Sequence, residues 1–364
     1  MRAFIREFVM KLLLGEMSYL LFSSKNLSSQ KIIDEGDFES YDKVEELVRE
    51  AIQVGERDLG TGDVFANLEV VLDDDFRSPI PTGIKGIDNL LKGGLAKGEI
   101  GVILAPTGVG KTTILSKIAN TAFNLGFNVI QIFFEDNVTN ILRKHYTIWS
   151  GIAPDDQIER KEEVIEKVKE MESNSKGKLK LLKMPSDSVT ISEIKSKIRK
   201  LHSEGFVVDV LLIDYVDCIS PERSTFGEEW KGEGSIMRSL ESMTGEFNMA
   251  IWTATQGNRE SISSEVVTGD QMGGSIKKAQ IAHVILSIGK TLEQKDHNLA
   301  TLTLLKSRIG RDGVVFQNCK FNNEFLLIDT ESQNTLLGHE EQKVQINANR
   351  AAEAFKRRQQ VAGK

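Results

Sequence analysis

The stretch Ala105-Pro106-Thr107-Gly108-Val109-Gly110-Lys111-Thr112 sets the class of fold. The apolar run Ile100–Leu104 precedes it, and Thr112–Phe123 after it reads as a helix. A glycine-rich turn between a strand and a helix lets successive backbone N–H groups face an anion at the helix N-terminus, where the dipole favours negative charge. The turn is therefore expected to cradle the phosphates of ATP with Thr107, Gly108, Val109, Gly110, Lys111, Thr112 and Thr113. Lys111 would supply a point charge to the β- and γ-phosphates, and the Thr112 hydroxyl a ligand for Mg²⁺. Ala105 stands where the strict pattern has glycine, a mild departure.

Further along the chain, apolar runs alternate with helical patterns. Val129–Phe134 precedes the helix Val138–Trp149, Lys180–Met184 precedes Ile191–His202, and Val208–Ile213 precedes Ile236–Phe247, with Met249–Thr255 following. Short apolar strands separated by helices indicate βαβ units and a mainly parallel sheet. Beyond Ile281 the helices fade. Val284–Ile288, Ala300–Leu305, Val314–Gln317 and Phe325–Ile328 read as hairpin-connected strands at one edge.

Three strand ends carry polar chemistry. Val208-Asp-Val-Leu-Leu-Ile-Asp214 ends in an acid, and an α/β sheet binds its ligands outside the carboxyl ends of its strands. Asp214 is the expected second holder of Mg²⁺. Val129–Phe134 runs into Glu135-Asp136, where a carboxylate can orient and deprotonate an attacking water. Glu135 is preferred because it directly follows the expected strand. Met249–Thr255 is followed by Gln256-Gly-Asn-Arg259, and the Gln256 amide is placed to sense the γ-phosphate. Beyond it lies a long loop whose Arg259, Gly273, Gly274, Lys277 and Lys278 are candidates for contact with nucleic acid. The loop has no aromatic residue between Gly257 and Lys278, so phosphate contact is expected rather than base stacking. A basic turn, Leu304-Leu-Lys-Ser-Arg-Ile-Gly-Arg-Asp-Gly313, completes the set. Lys306 and Arg308 alternate, so both side chains project to one face and require an anionic partner there.

Composition bounds the rest. The 364 residues are 40% hydrophobic and 27% charged, an ordinary globular mixture that excludes a collagen-like chain or a membrane bundle. Cys218 and Cys319 are too few for a disulfide framework or a four-cysteine zinc site, and read as reduced thiols in a cytoplasmic protein. The net charge of −7 does not exclude nucleic acid, because it is unevenly placed. Residues 1–78 carry 9 basic and 17 acidic groups, and the remainder is almost neutral. The uncharged run Met17–Ser24 is too short to span a membrane. From Glu39 to Val54, Val44, Leu47, Val48, Ala51 and Ile52 form the stripe of an amphipathic helix, which needs a partner surface.

Together these elements resemble the RecA-like ATPase domain of DnaB-type replicative DNA helicases, particularly bacteriophage versions. The resemblance runs from Pro81-Thr-Gly-Ile-Lys-Gly-Ile-Asp88 to about Asp329. Its most specific parts are Phe134-Glu135, Thr255-Gln256-Gly-Asn-Arg259 and Lys306-Ser-Arg308-Ile-Gly-Arg-Asp-Gly313. The expected fold is α/β: a RecA-like P-loop NTPase core with a mainly parallel sheet and a C-terminal antiparallel edge, preceded by a short helical N-terminal segment. The expected divisions are a short helical segment 1–38, a linker helix and acidic linker 39–78, an ATPase domain 79–332 and a basic polar tail 333–364. The resemblance implies a homo-hexameric ring that threads single-stranded DNA and moves 5′ to 3′. It also implies that Lys306 and Arg308 act on ATP held by the adjacent subunit, and that a primase or other replisome protein is a partner. Arg143 matches a family arginine. Only some 38 residues precede the expected linker helix, fewer than the family's usual collar, which bears on primase docking. A RecA-like recombinase or branch-migration ATPase is the competing reading, and a nucleotide-driven assembly module without DNA is the third.

Overall fold

Strand β1 (Ile100–Ala105) is buried along its whole length. Its residues alternate between two cores. Ile100, Val102 and Leu104 enter one, and Ile103 and Ala105 the other. That is the period of a strand packed on both faces, which requires helices on both sides of the sheet. Gly101 is demanded by its neighbour, since a Cβ there would lie 2.4 Å from the Trp252 ring.

The structure is a computed structural model. It describes residues 77–330 apart from 187, 222–228, 259–260, 262–263 and 272–275, and only the backbone of 229–233, 270 and 276. Contacts divide the chain into Met1–Phe76 and Arg77–Lys364, and the described residues belong to the second unit. The expected helix Glu39–Val54, the N-terminal segment and the basic tail lie outside the described residues.

After α1 (Lys85–Leu90) and β1 come α2 (Lys111–Asn124), β2 (Asn128–Phe133), α3 (Val138–Ser150), α4 (Lys161–Asn174) and β3 (Lys178–Lys183). Next are α5 (Ile191–Ser203), β4 (Val210–Asp214), α6 (Glu229–Glu246), β5 (Ala250–Gln256), α7 (Ile276–Ile281) and β6 (Val284–Gly289). The last are α8 (Leu292–Asp296), β7 (Leu299–Ser307), β8 (Val314–Asn322) and β9 (Leu327–Asp329). The sheet order is β3-β2-β4-β5-β1-β6-β7-β8-β9. The six strands β3 to β6 in that order are parallel, and β7, β8 and β9 add antiparallel at one edge.

The mixed sheet agrees with the expected fold class, but three details differ. Strand β6 pairs antiparallel with β7, as expected, but also in parallel with β1, so it joins the parallel set to the edge. Helix α8 lies in the region expected to lack helices, and opens with a capping box between Thr291 and Gln294. Helix α4 is not among the expected helices: its stripe of Val164, Val168 and Met171 is narrow, with only Val164 fully buried and most of the rest of the helix charged. Neither Cys218 nor Cys319 forms a disulfide, and both are buried, as expected.

Helix α2 buries Ile114, Leu115, Ile118, Ala119 and Ala122 against the sheet. Its remaining buried face is polar and is tied to α3. Asn120 Nδ2 donates to His145 Nδ1 at 2.7 Å, and His145 Nε2 lies 3.0 Å from Gln131 Oε1. Gln131 Nε2 donates in turn to Ser116 Oγ at 3.2 Å. A neutral imidazole protonated on Nε2 satisfies both contacts. Burial, with Lys144 nearby, pushes the His145 pKa down to about 3. Unfolded chains protonate this histidine near pH 6.5, so between about 6.5 and 3 the unfolded state binds the extra proton and stability must fall with pH. We expect this one group to cost up to about 1.4 kcal/mol per pH unit below 6.5. Denaturant unfolding at pH 7 and pH 5 should show His145→Gln losing less stability on acidification than the parent. An equal loss in both would refute the assignment.

Candidate nucleotide site

The glycine-rich turn follows β1 directly, and its backbone is set by two glycines of positive φ. Gly108 has φ 76° and Gly110 has φ 128°. Gly110 is also crowded, because a Cβ there would come within 2.6 Å of both Phe321 and the Asn323 amide oxygen. No other residue type fits that position without strain. Thr107 and Gly108 are exposed at the tip, while Val109 is buried beneath them. Thr113 donates its hydroxyl to Asn323 Oδ1 at 3.0 Å, so the β8–β9 turn braces the start of α2.

The structure brings together the residues expected at the phosphates and the metal. Thr112 Oγ1 donates to Asp214 Oδ2 at 2.6 Å, although 102 residues separate them. These are two hard oxygen donors at the carboxyl ends of the parallel strands, a set suited to Mg²⁺. Bound there with ATP, the ion would neutralise charge on the β- and γ-phosphates. Lys111 is buried, and its ammonium donates to the carbonyls of Ala105 and Pro106 at 3.3 and 3.4 Å. Burial lowers its pKa, opposed by Asp214, Asp217 and Glu135. Burial raises that of Asp214, against the Thr112 hydrogen bond and the Lys111 charge. A pair so desolvated is poised to receive an anion and a cation, each of which relieves one partner.

The two acids after β2 have different surroundings. Asp136 is held in an ion pair with Lys144 of α3 at 2.9 Å. Glu135 is exposed and accepts a hydrogen bond from Tyr215 Oη at 3.0 Å. Strand β2 ends at Phe133, so Glu135 stands one residue further past the strand than expected, and Lys183 donates to the Phe134 carbonyl just before it. The Tyr215 ring also lies 5.6 Å from the Lys111 ammonium, linking the candidate phosphate-binding lysine to the candidate base. Sequence reading missed Tyr215 and Asn323. Neither stands in a spacing that marks it, and each acts only through a partner distant in sequence. Arg143 lies on α3, where its carbonyl accepts from the Gln157 amide at 2.9 Å.

Gln256 ends β5, and its backbone N–H donates to Asp217 Oδ2 at 3.1 Å. Thr255 Oγ1 donates to the same carboxylate at 3.0 Å. Asp217 lies three residues after β4 and is another position that spacing does not single out. Of the nucleic-acid candidates, Arg259, Gly273 and Gly274 lie outside the described residues. Lys277 is half-buried and lies against Gly234 of α6. Lys278 departs from expectation. It is only 1% exposed, and its ammonium is bonded to Asp217 and, at 3.3 Å, to Thr255 Oγ1. A lysine spent on a carboxylate in this way is not presented to DNA phosphates, because neither charge can be uncovered cheaply.

Lys306 and Arg308 do share one side of their strand end, as their alternation requires. Their anionic partner is the end of a helix. Lys306 Nζ donates to the carbonyls of Ala279 and Gln280 at 2.6 and 3.0 Å, and Arg308 Nη2 to that of Gln280 at 2.8 Å. These carbonyls close α7, where the dipole favours cations. Lys306 and Ser307 pair with Ile285 and Val284 at the start of β6, and the Arg308 N–H donates to the His283 carbonyl. The His283 N–H reaches the carbonyl of Ile100, the first residue of β1. The glycine-rich turn leaves the other end of β1, so the two cations stand at the opposite end of the sheet from their own candidate phosphate site. Five residue steps of about 3.3 Å separate the two ends of β1 by roughly 17 Å.

Residues 79–328 match the family model for the DnaB-like helicase C-terminal domain. The chain is similar to a DnaB-like replicative helicase of Enterobacteria phage T4, at 23% identity over 238 residues, 64% of this chain and 50% of the relative. It spans half or less of the length of the curated relatives it matches. In fold it is similar to a solved ATPase domain, with TM-score 0.61 and 16% identity, covering 72% of this chain and 94% of that one. It is equally similar to a DnaB-like replicative helicase solved for its interactions with primase, with TM-score 0.61 and 18% identity, covering 84% and 75%. The parallel sheet with its antiparallel edge is thus a RecA-like ATPase fold. With the family model spanning the sheet from Pro79 to Ile328, the chain belongs to the DnaB-like helicase C-terminal domain family.

Proposed function

We propose that this protein is an ATP-dependent replicative DNA helicase. It forms a homo-hexameric ring, hydrolyses ATP at its subunit interfaces and moves 5′ to 3′ on single-stranded DNA. The observation that carries the interface reading is the placement of Lys306 and Arg308 at the far end of the sheet from their own P-loop. Two paired cations that cannot serve their own nucleotide are explained if they serve a neighbour's. In this reading Lys111 and the backbone of 107–113 hold the phosphates, Thr112 and Asp214 hold Mg²⁺, Glu135 is the base and Gln256 the γ-phosphate sensor. Arg259, Gly273, Gly274 and Lys277 remain the candidates for DNA phosphates. The proposed setting is cytoplasmic, with a primase or other replisome protein as a further partner. Family membership supports helicase chemistry. Among the described residues no helix is long and apolar enough to cross a membrane.

Strand displacement on a forked duplex tests the reading. ATP should drive unwinding of a fork with a free 5′ single-stranded tail on the encircled strand, and a fork with only a 3′ tail should stay annealed. DNA-stimulated ATP turnover without displacement on either fork would favour a recombinase or branch-migration ATPase. Turnover indifferent to DNA would overturn both.

A further inference from the structure

We propose that Lys278 and Asp217 are positioning residues for Lys306 and Arg308, setting them for the nucleotide of the neighbouring subunit through helix α7. This rests on the interface reading above. Helix α7 is only six residues long and ends in the carbonyls that hold both cations. So short a helix has little rigidity of its own, and its place depends on what anchors its side chains. Lys278 is the residue immediately before Ala279 and Gln280. Its ammonium, almost fully buried, is bound to Asp217 and to Thr255 Oγ1.

Asp217 is itself fixed from the other side by Thr255 Oγ1 and the Gln256 N–H. A continuous path therefore runs from the end of β5 through Asp217, Lys278 and two peptide units to the Arg308 guanidinium. A buried lysine is a poor way to gain stability, since apolar residues of similar volume often do as well. What it supplies is a fixed geometry. The bond's direction sets α7 along the sheet, and with it the carbonyls against which the exposed Arg308 is held.

Lys278→Met keeps the length of the side chain and removes the ammonium. It leaves Asp217 able to keep its bonds to Thr255 and the Gln256 N–H, so the end of β5 keeps its anchor. A displacement near 1 Å at a reacting centre can cost about 100-fold. ATP turnover by Lys278→Met should therefore fall by roughly 10- to 100-fold, with the affinity for a fluorescent ATP analogue within about threefold of the parent.

The decisive measurement mixes variants in one ring. Lys111→Ala has a defective phosphate site and an intact Arg308, so it can supply what Lys278→Met lacks. Mixtures of the two should recover part of the turnover that neither shows alone. Recovery in Arg308→Ala with Lys111→Ala, but none in Lys278→Met with Lys111→Ala, overturns this inference and leaves the interface reading standing. Recovery in neither mixture overturns the interface reading itself. Near-normal turnover by Lys278→Met alone also overturns the inference. If that variant does not fold, the Asp217→Asn/Lys278→Met double variant, which buries no charge, replaces it in the same mixture. Failure of both to fold would make the pair purely structural and refute the proposal.

Discussion

Arg308→Ala should lose ATP turnover by about 10³- to 10⁵-fold while still binding ATP in its own P-loop, an effect of roughly 4 to 7 kcal/mol on the barrier. The size reflects what an arginine does when it meets the transferring phosphoryl group. It stabilises charge that develops only in the transition state, so its loss falls on turnover and not on ground-state binding. Steady-state kinetics with DNA present would show the fall in kcat, and equilibrium titration with an ATP analogue would show the retained affinity. Arg308 follows β7 at the end of the sheet where β1 begins, so in this reading its own P-loop, at the far end of β1, is not the one it serves. Lys111→Ala has the complementary defect, an impaired phosphate site beside an intact arginine. Mixed rings of the two should recover part of the lost activity, provided subunits exchange and turnover does not need every site. An arginine acting within its own subunit allows no such rescue at any ratio. Near-normal turnover by Arg308→Ala would remove both its proposed role and the main argument for hydrolysis at an interface.

The second large effect is expected at Glu135. Glu135→Gln keeps the shape of the side chain and its hydrogen bond to Tyr215 but cannot take a proton from water. Turnover should fall by about 10²- to 10⁴-fold, the usual contribution of a positioned base. ATP should then bind and persist, visible as unhydrolysed nucleotide retained by the protein after rapid separation. Asp136→Asn is the matched control. Its carboxylate is engaged with Lys144, so its loss removes a surface ion pair worth about 1 kcal/mol or less and should leave most of the turnover. The reverse outcome, an active Glu135→Gln beside a dead Asp136→Asn, would exchange the roles of the two acids.

Legibility in the sequence differs from residue to residue. Strands β1, β2, β4 and β5 announce themselves because doubly packed parallel strands read as continuous apolar runs, and α2 because Gly108-Val-Gly-Lys-Thr112 marks both its start and its ligand. Helix α4 is faint, since its stripe is only Val164, Val168 and Met171 among charged residues and one fully buried side chain anchors it. Strand β6 does form the hairpin with β7 that chain order suggests, but its second partner β1 is hidden, because chain order names a strand's successor and not the strand on its other side. Tyr215 and Asn323 are hidden for a related reason. Each serves the site through a partner 80 and 210 residues away, respectively, and no local spacing records such a meeting.

Local sequence is enough to specify the chemistry at the carboxyl ends of the strands. A P-loop depends on glycine at two left-handed positions, and a metal-side acid on one place at the end of an apolar strand. Both are conditions on neighbouring residues, met or failed within a few positions. Which charges meet is a matter of packing alone. Lys278, which reads in the sequence as part of a basic loop, lies in α7 and is buried on Asp217 across 61 residues of chain. Lys306 and Arg308, similar to it in composition, are held exposed or half-exposed on the carbonyl end of α7. A charge's role depends on the dielectric around it and the partner it finds, and both are set by how distant segments pack.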